Sequence, residues 1–498
     1  MEMKTKHYKG FKSVALLPVM LLAMLLMPAA CMEDEGNYDY VDLAEFRVDT
    51  VGVSQEYSVQ QFTTLQVPSH LVYAGNKSDL SYRWSIYNPG GGQSDNIATI
   101  LATTEDLNVE VTAKPGTYTL EFMAQNTKTG ERAANRYTLT VESAAGIGLM
   151  VLYDNGGKAD IDIVRTPVLN AALTSTTISR NFYSKVNKTI VSGTPRQLGY
   201  NSNHSYIFTD TDGVRLSNED LTQIEDFDGM FFSKPDSHKP MFYYGVTSSE
   251  ILVNNGDVHM MIGGWDNGLH YFPGPKAMQG DSYFAEMAMV VYGGGPFCFD
   301  SKGHRFLYCG LWSGEFLSTA DVNLSNIYLD ITHMASGYPL NGTMGKVYAF
   351  FKDPADASKR SLMVIDATVN SNASKLMANI DLSGCPEAGV MQNILTTNNS
   401  PMFYYSSTTN AYVCPISIDE AICVPPSAPL WTCPSGETIT DMQLLNGNKI
   451  LAIATWTGSE GKVYLFNTDL ASGVTDSTPV ETFTGFGKIV DMQYKSAQ

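Results

Sequence analysis

Asp210 and Asp212 stand one residue apart ahead of Gly213 in TDTDGVRL, the opening spacing of a calcium loop. The later ligands of such a loop, a glutamate above all, are missing at the required distance, so the stretch reads as an Asp-Gly turn. The eight histidines are scattered; His259 and His270 flank a strand pair and His304 sits at a turn, positions that suit a half-buried sheet surface better than ligation. The sequence has no nucleophile elbow, zinc-protease motif, phosphate loop or dinucleotide-binding glycine pattern. Two carboxylates across a pocket would suffice for sugar hydrolysis. Among 51 acidic residues, however, some pair always qualifies, and no catalytic residue is assigned on that ground.

The side chains best suited to binding are tryptophans. Trp265, Trp312 and Trp456 each stand at the mouth of a glycine-containing turn, in IGGWDNG, GLWSGE and ATWTGSEG. Such a ring can pack between sheets, or it can stack on the apolar face of a sugar or on a peptide side chain with little rotamer entropy to lose. Tyr292, in VVYGGGP, falls in a connection that could bring it to the same surface. These four are the candidate ligand-binding residues.

Six cysteines lie beyond residue 31: Cys298, Cys309, Cys385, Cys414, Cys423 and Cys433. None forms a CxxC pair or a Cys/His group at zinc spacing, so the sequence points to no metal and no cofactor. They read as buried thiols, with cross-strand disulfides at Cys298/Cys309 and Cys414/Cys423 the alternative.

The elements that must position these residues are strands. Seven hairpins can be aligned by turn centres at Asn155, Asp212, Asp266, Ser313, Asp356, Thr408 and Gly458, spaced 43 to 57 residues apart. Short strands repeating every 40 to 50 residues or so are the signature of β-propeller blades. A second turn precedes most hairpins, as NSNH, NNGD, DSKGH, TNNS and NGN, and the strand before it recurs as RQLGY, MQNIL, DMQLL and DMQYK. The last of these, Asp491 to Lys495, has no hairpin after it, and the first hairpin has no such strand before it. The C-terminal strand is therefore expected to complete blade one and close a seven-bladed ring over residues 146–498, which removes open sheet edges. Six or eight blades would follow if YPLNGTMGK or EDLTQIEDFDG hides an irregular one. In such a ring the hairpin turns emerge on one face, where Trp265, Trp312 and Trp456 are expected together.

Upstream, residues 45–145 alternate in strand-length runs, YRWSIY, LNVEVTA, GTYTLEFMAQN and RYTLTVES, separated by turn formers. One tryptophan, Trp84, among about 100 residues of short strands suggests an immunoglobulin-like sandwich with Trp84 in its core. The fold class is thus all-β throughout. Residues 1–30 have the form of a signal peptide: lysines at 4, 6, 9 and 12, an apolar run from Val14 to Met27 too short to span a bilayer, and PAAC. The ending resembles a lipoprotein signal in which Cys31 carries the lipid, with Pro28 in place of the usual leucine. Residues 31–44 then form an acidic tether. Several acyl chains, each contributing about 0.8 kcal/mol per buried methylene, hold such a protein on a membrane. The formal charge of -19 disfavours nucleic acid and anionic lipid as partners.

Taken together, PAACMEDEGNYDY, the YRW and PGTYTLEF segments and GLMVLYDNGGKADIDIV resemble the PKD-like family lipoproteins of Bacteroidetes, although NPGGG replaces the usual GDG turn after the tryptophan. The resemblance implies a lipid-anchored, surface-exposed outer-membrane component of a SusC/SusD-type uptake system and supplies no active-site residues. A non-catalytic module that captures a polysaccharide or peptide is the leading expectation. A propeller glycoside hydrolase or lyase, and a protein-binding scaffold, are the alternatives.

Overall fold

The computed structural model describes residues 45–88, 97–246, 249–262, 270–341, 344–368 and 374–496. Cys31, the signal segment and Trp265 lie outside them. Among the described residues no helix is long and apolar enough to cross a membrane.

Alternating sequence in the first hundred described residues produces a two-layer sandwich. Its main sheet places Glu56–Gln60, Arg132–Glu142, Gly116–Asn126, Leu80–Tyr87 and Thr99–Ala102 side by side, and the pairs Thr64–Val67 with Leu107–Glu110 and Phe46–Val48 with Leu71–Tyr73 complete it. Arg132–Glu142 shows why it forms: its odd-numbered residues Ala133, Tyr137, Leu139 and Val141 turn inward while Arg132, Arg136, Thr138, Thr140 and Glu142 between them face solvent. Trp84 is fully buried at the centre, 4.7 Å from Phe122 between ring centroids, and its indole N–H donates to the Glu105 carbonyl at 3.1 Å. That bond satisfies the one polar group the ring brings into the core.

Among the described residues seven further sheets follow. The seventh runs Thr438–Leu445, Ile450–Trp456, Gly461–Asn467 and Glu481–Phe486 as an antiparallel meander. The inner strands of the seven sheets touch one another in cyclic order: Lys488–Lys495, Pro195–Tyr200, Pro240–Val246, Ala285–Val290, Asp330–Asn341, Gln392–Thr396 and Thr438–Leu445, which returns to Lys488–Lys495. The ring is therefore closed. Its closing strand comes from the C-terminus: Lys488–Lys495 pairs antiparallel with Gly148–Asp154, Met492 facing Val151, and Met492 is wholly buried.

The hairpin frame expected from sequence holds in blades one, two, five, six and seven and slips by one strand in blades three and four. In blade three the turn between the second and third strands is Asn254 to Asp257, with Asn255 and Gly256 at φ 52° and 89°, a pair of positive values that suits a two-residue hairpin. In blade four it is Ser301 to His304, joining Pro296–Asp300 to Arg305–Tyr308. GLWSGE is consequently the next connection outward, leading to the outer strand Glu315–Ser318. Because strands of a meander alternate in direction, that slip carries Trp312 to the opposite end of the propeller.

The connection from sandwich to propeller is packed, not loose. Ala144 and Ala145 are buried in the core shared by blades one and two, the Ser143 hydroxyl donates to the Glu219 carbonyl at 2.8 Å, and Phe62 meets Phe182 edge to face at 5.5 Å.

Candidate functional site

Two places are the candidates for a site: the axial channel, and the end of the propeller that carries the turns from first to second and from third to fourth strands.

The channel is walled by the inner strands and contains two adjoining cavities of about 430 and 370 Å³. Gln443, His333 and Ile394 line both, Asp441 and Asp491 one, and Gln197 and Gln493 the other. The recurrent Asp and Gln of these strands have a definite task. Near the axis the inner strands of neighbouring blades do not form a ladder, and their backbone groups need other partners. Asp491 supplies one: its Oδ2 accepts from the Leu198 amide of blade two at 2.6 Å, and its Oδ1 from the Met492 amide at 2.9 Å. Gln197 does the same at the next junction, accepting from the Tyr243 amide and donating to the Tyr243 carbonyl, both at 2.9 Å. At the junction before, Gln443 donates to the Met492 carbonyl at 3.1 Å. Three successive junctions are thus clasped by one device, in which a side chain of one inner strand holds the backbone of the next.

The electrostatic consequence falls on the two carboxylates. They sit deep in the channel wall with only partial access to solvent, and burial raises Asp491 to about 7. Burial and then the nearby charge of Asp491 raise Asp441 further, against the pull of its backbone donors, and its Oδ2 has no partner. Burial also lowers His333 to about 4, leaving a neutral imidazole in the wall. Paired buried acids occur in hydrolases, yet here Asp491 is occupied in holding the Leu198 and Met492 amides.

The expected aromatic rim is divided between two ends. Trp456 closes the second strand of blade seven opposite Gly461 and Thr438. The sheet behind it is held by Glu437, which accepts from Thr455 at 2.6 Å and Lys462 at 2.7 Å. Trp312 and Tyr292 lie at the other end, in adjacent turns of blade four; a Cβ at Gly295 would stand 2.1 Å from the Cys309 carbonyl, so the two turns touch and only glycine permits it. Trp312 is 67% exposed and Tyr292 47%. Sequence reasoning missed that the end strands of blades five and six continue this surface. Tyr338 is exposed at the outgoing end of its inner strand, and with Pro339, Met377, Pro401, Ile416 and Ile418 it lines a groove of about 360 Å³. Pro and aliphatic residues beside turn sequences were the available signal, and only the blade frame could sort them to one end.

Residues 31–195 match the model of the PKD-like family, a segment that runs through the sandwich and the first blade to the start of the second. No curated protein matches the chain. Among solved structures the chain is similar to a quinonprotein alcohol dehydrogenase-like protein of Bacteroides thetaiotaomicron, with 11% identity, a TM-score of 0.52 and coverage of 92% of this chain and 100% of that one. It is also similar to PorZ of Porphyromonas gingivalis, a surface component of the type-IX secretion system, at 9% identity, TM-score 0.34, and 75% and 51% coverage. At 11% identity the likeness to the Bacteroides thetaiotaomicron protein concerns the fold alone: an all-β chain with a PKD-like segment and a β-propeller.

Proposed function

We propose that the chain is a non-catalytic capture module, anchored to the outer membrane through lipid on Cys31, that binds a polysaccharide or peptide for a SusC/SusD-type transporter. The observation that carries this reading is the shared end on which Tyr292, Trp312 and Tyr338 are exposed beside an apolar groove. Flat amphipathic rings next to a groove suit a repeating ligand that presents apolar faces to stack and hydroxyl or amide groups to solvent. The formal charge of -19 favours neutral or cationic polymers over anionic ones. Trp456 stands at the other end and takes no part; Trp265 remains a candidate by sequence.

A screen of purified protein against neutral polysaccharides and peptides, reading both affinity and the appearance of new ends, tests the proposal. Binding without turnover is expected. Replacing Tyr292 and Trp312 together by Ala should weaken binding by about thirtyfold, the worth of roughly 2 kcal/mol at a binding hot spot, with the melting temperature unchanged. Equal binding by that variant would refute the assignment of the surface. The alternative, a glycosidase or lyase, is favoured by one observation, the pair of acids in the channel; it requires turnover that Asp441→Asn abolishes.

A further inference from the structure

Away from the channel, three cysteines from two blades meet. Cys385 lies in the connection after the outer strand of blade five, Cys414 on the third strand of blade six, and Cys423 on the short outer strand paired to it. The Sγ atoms of Cys385 and Cys414 are 3.8 Å apart, those of Cys385 and Cys423 3.9 Å, and all three lie within 4.8 Å of one another. We infer that this triad is a binding site for a soft, thiophilic metal ion such as Zn²⁺ or Cu⁺.

The spacing is the first argument. Two thiolates bound to one metal at about 2.3 Å with a tetrahedral angle hold their sulfurs about 3.8 Å apart, so a cation at the centre of this triangle requires almost no movement. A disulfide would need one pair to close to about 2.0 Å and would strand the third thiol. The surroundings are the second argument. The pocket is walled by Ile380, Leu382, Tyr405 and Ile416, and the nearby oxygens are backbone carbonyls: Cys423 donates to Asp381 at 3.3 Å and Cys414 to Val424 at 3.5 Å. Carbonyl oxygens and the neighbouring Asp381 carboxylate favour a cation and disfavour bare thiolates. Metal binding displaces the three thiol protons, and a divalent ion leaves the site with one net negative charge. Cys414 is fully buried, but Cys423 is partly exposed, so the entry and a fourth coordination position open to solvent lie on its side of the triad. Ligands from the outer edges of two adjacent blades would tie them together where the inner clasps do not reach.

The test is titration of the reduced full chain with Cd²⁺ under argon, following the ultraviolet thiolate-to-metal charge-transfer band. One equivalent should saturate the band and raise the melting temperature. Cys385→Ser should abolish the band, Cys423→Ser should weaken or abolish it, and Cys309→Ser, at a buried thiol elsewhere, should leave it unchanged. If Cys385→Ser fails to fold, the partly exposed Cys423→Ser decides. A reduced wild-type chain that shows no band overturns the inference. So does a band that persists in the Cys385 and Cys423 variants, or a chain whose mass is lower by two hydrogens before reduction and which takes up no cadmium after it.

Discussion

Asp491 shows how a residue that looks catalytic can be architectural. Its carboxylate bridges blade one to blade two through the Leu198 amide, and its burial lifts it to about 7 from an ordinary value of 3.8. The folded chain therefore holds a proton there that the unfolded chain has already lost. The resulting stability is fully present below the unfolded value and is lost as pH rises through about 7. Asp491→Asn should keep the bond to Leu198, as the amide of Gln197 does at the next junction, and should remove this dependence. Thermal unfolding between pH 4 and pH 8 is expected to show wild type losing melting temperature relative to the variant as pH rises; parallel curves would show that Asp491 is not proton-linked. In the sequence this residue was visible only as part of a repeated DMQ. That pattern revealed the inner strands correctly, while the bond Asp491 makes depends on a blade 293 residues distant in the chain. The cysteine triad was invisible for the same reason: Cys385 meets partners 29 and 38 residues away across a blade boundary, at no recognisable ligand spacing.

At the scale of the element, the turns explain both the success and the error. Asn-Gly chemistry marks tight turns at different places within a blade, as in the Asn446 to Asn448 turn between the first two strands of blade seven and the Asn255–Gly256 turn between the second and third strands of blade three. Turn residues therefore located the strands without numbering them within a blade, and tryptophan was a poor guide to the frame. The result was one surface expected where two exist. The strand Gly148–Asp154 gives a direct check of close packing at ring closure. A Cβ at Gly148 would stand 2.5 Å from the Val164 carbonyl, a backbone atom that cannot swing away. Gly148→Ala should cost roughly 1–3 kcal/mol, typical of overpacking, in chemical denaturation. An unchanged midpoint would mean that the two strands are farther apart than described.

For the molecule as a whole, the docked linker and the closed ring join the sandwich and the propeller through packed contacts. The sandwich reaches blades one and two through Phe62 and the buried alanines 144 and 145, and blade one is itself composed from both ends of the propeller sequence. Which residues share an end of the propeller, and so which aromatics can meet one ligand, follows from that closure. Hydrogen exchange of the native chain tests it most directly. Amides of Lys488–Lys495 should exchange as slowly as those of Ile450–Trp456 and should open together with Gly148–Asp154. Rapid exchange at the C-terminal strand while the other blades stay protected would contradict a ring closed at that point.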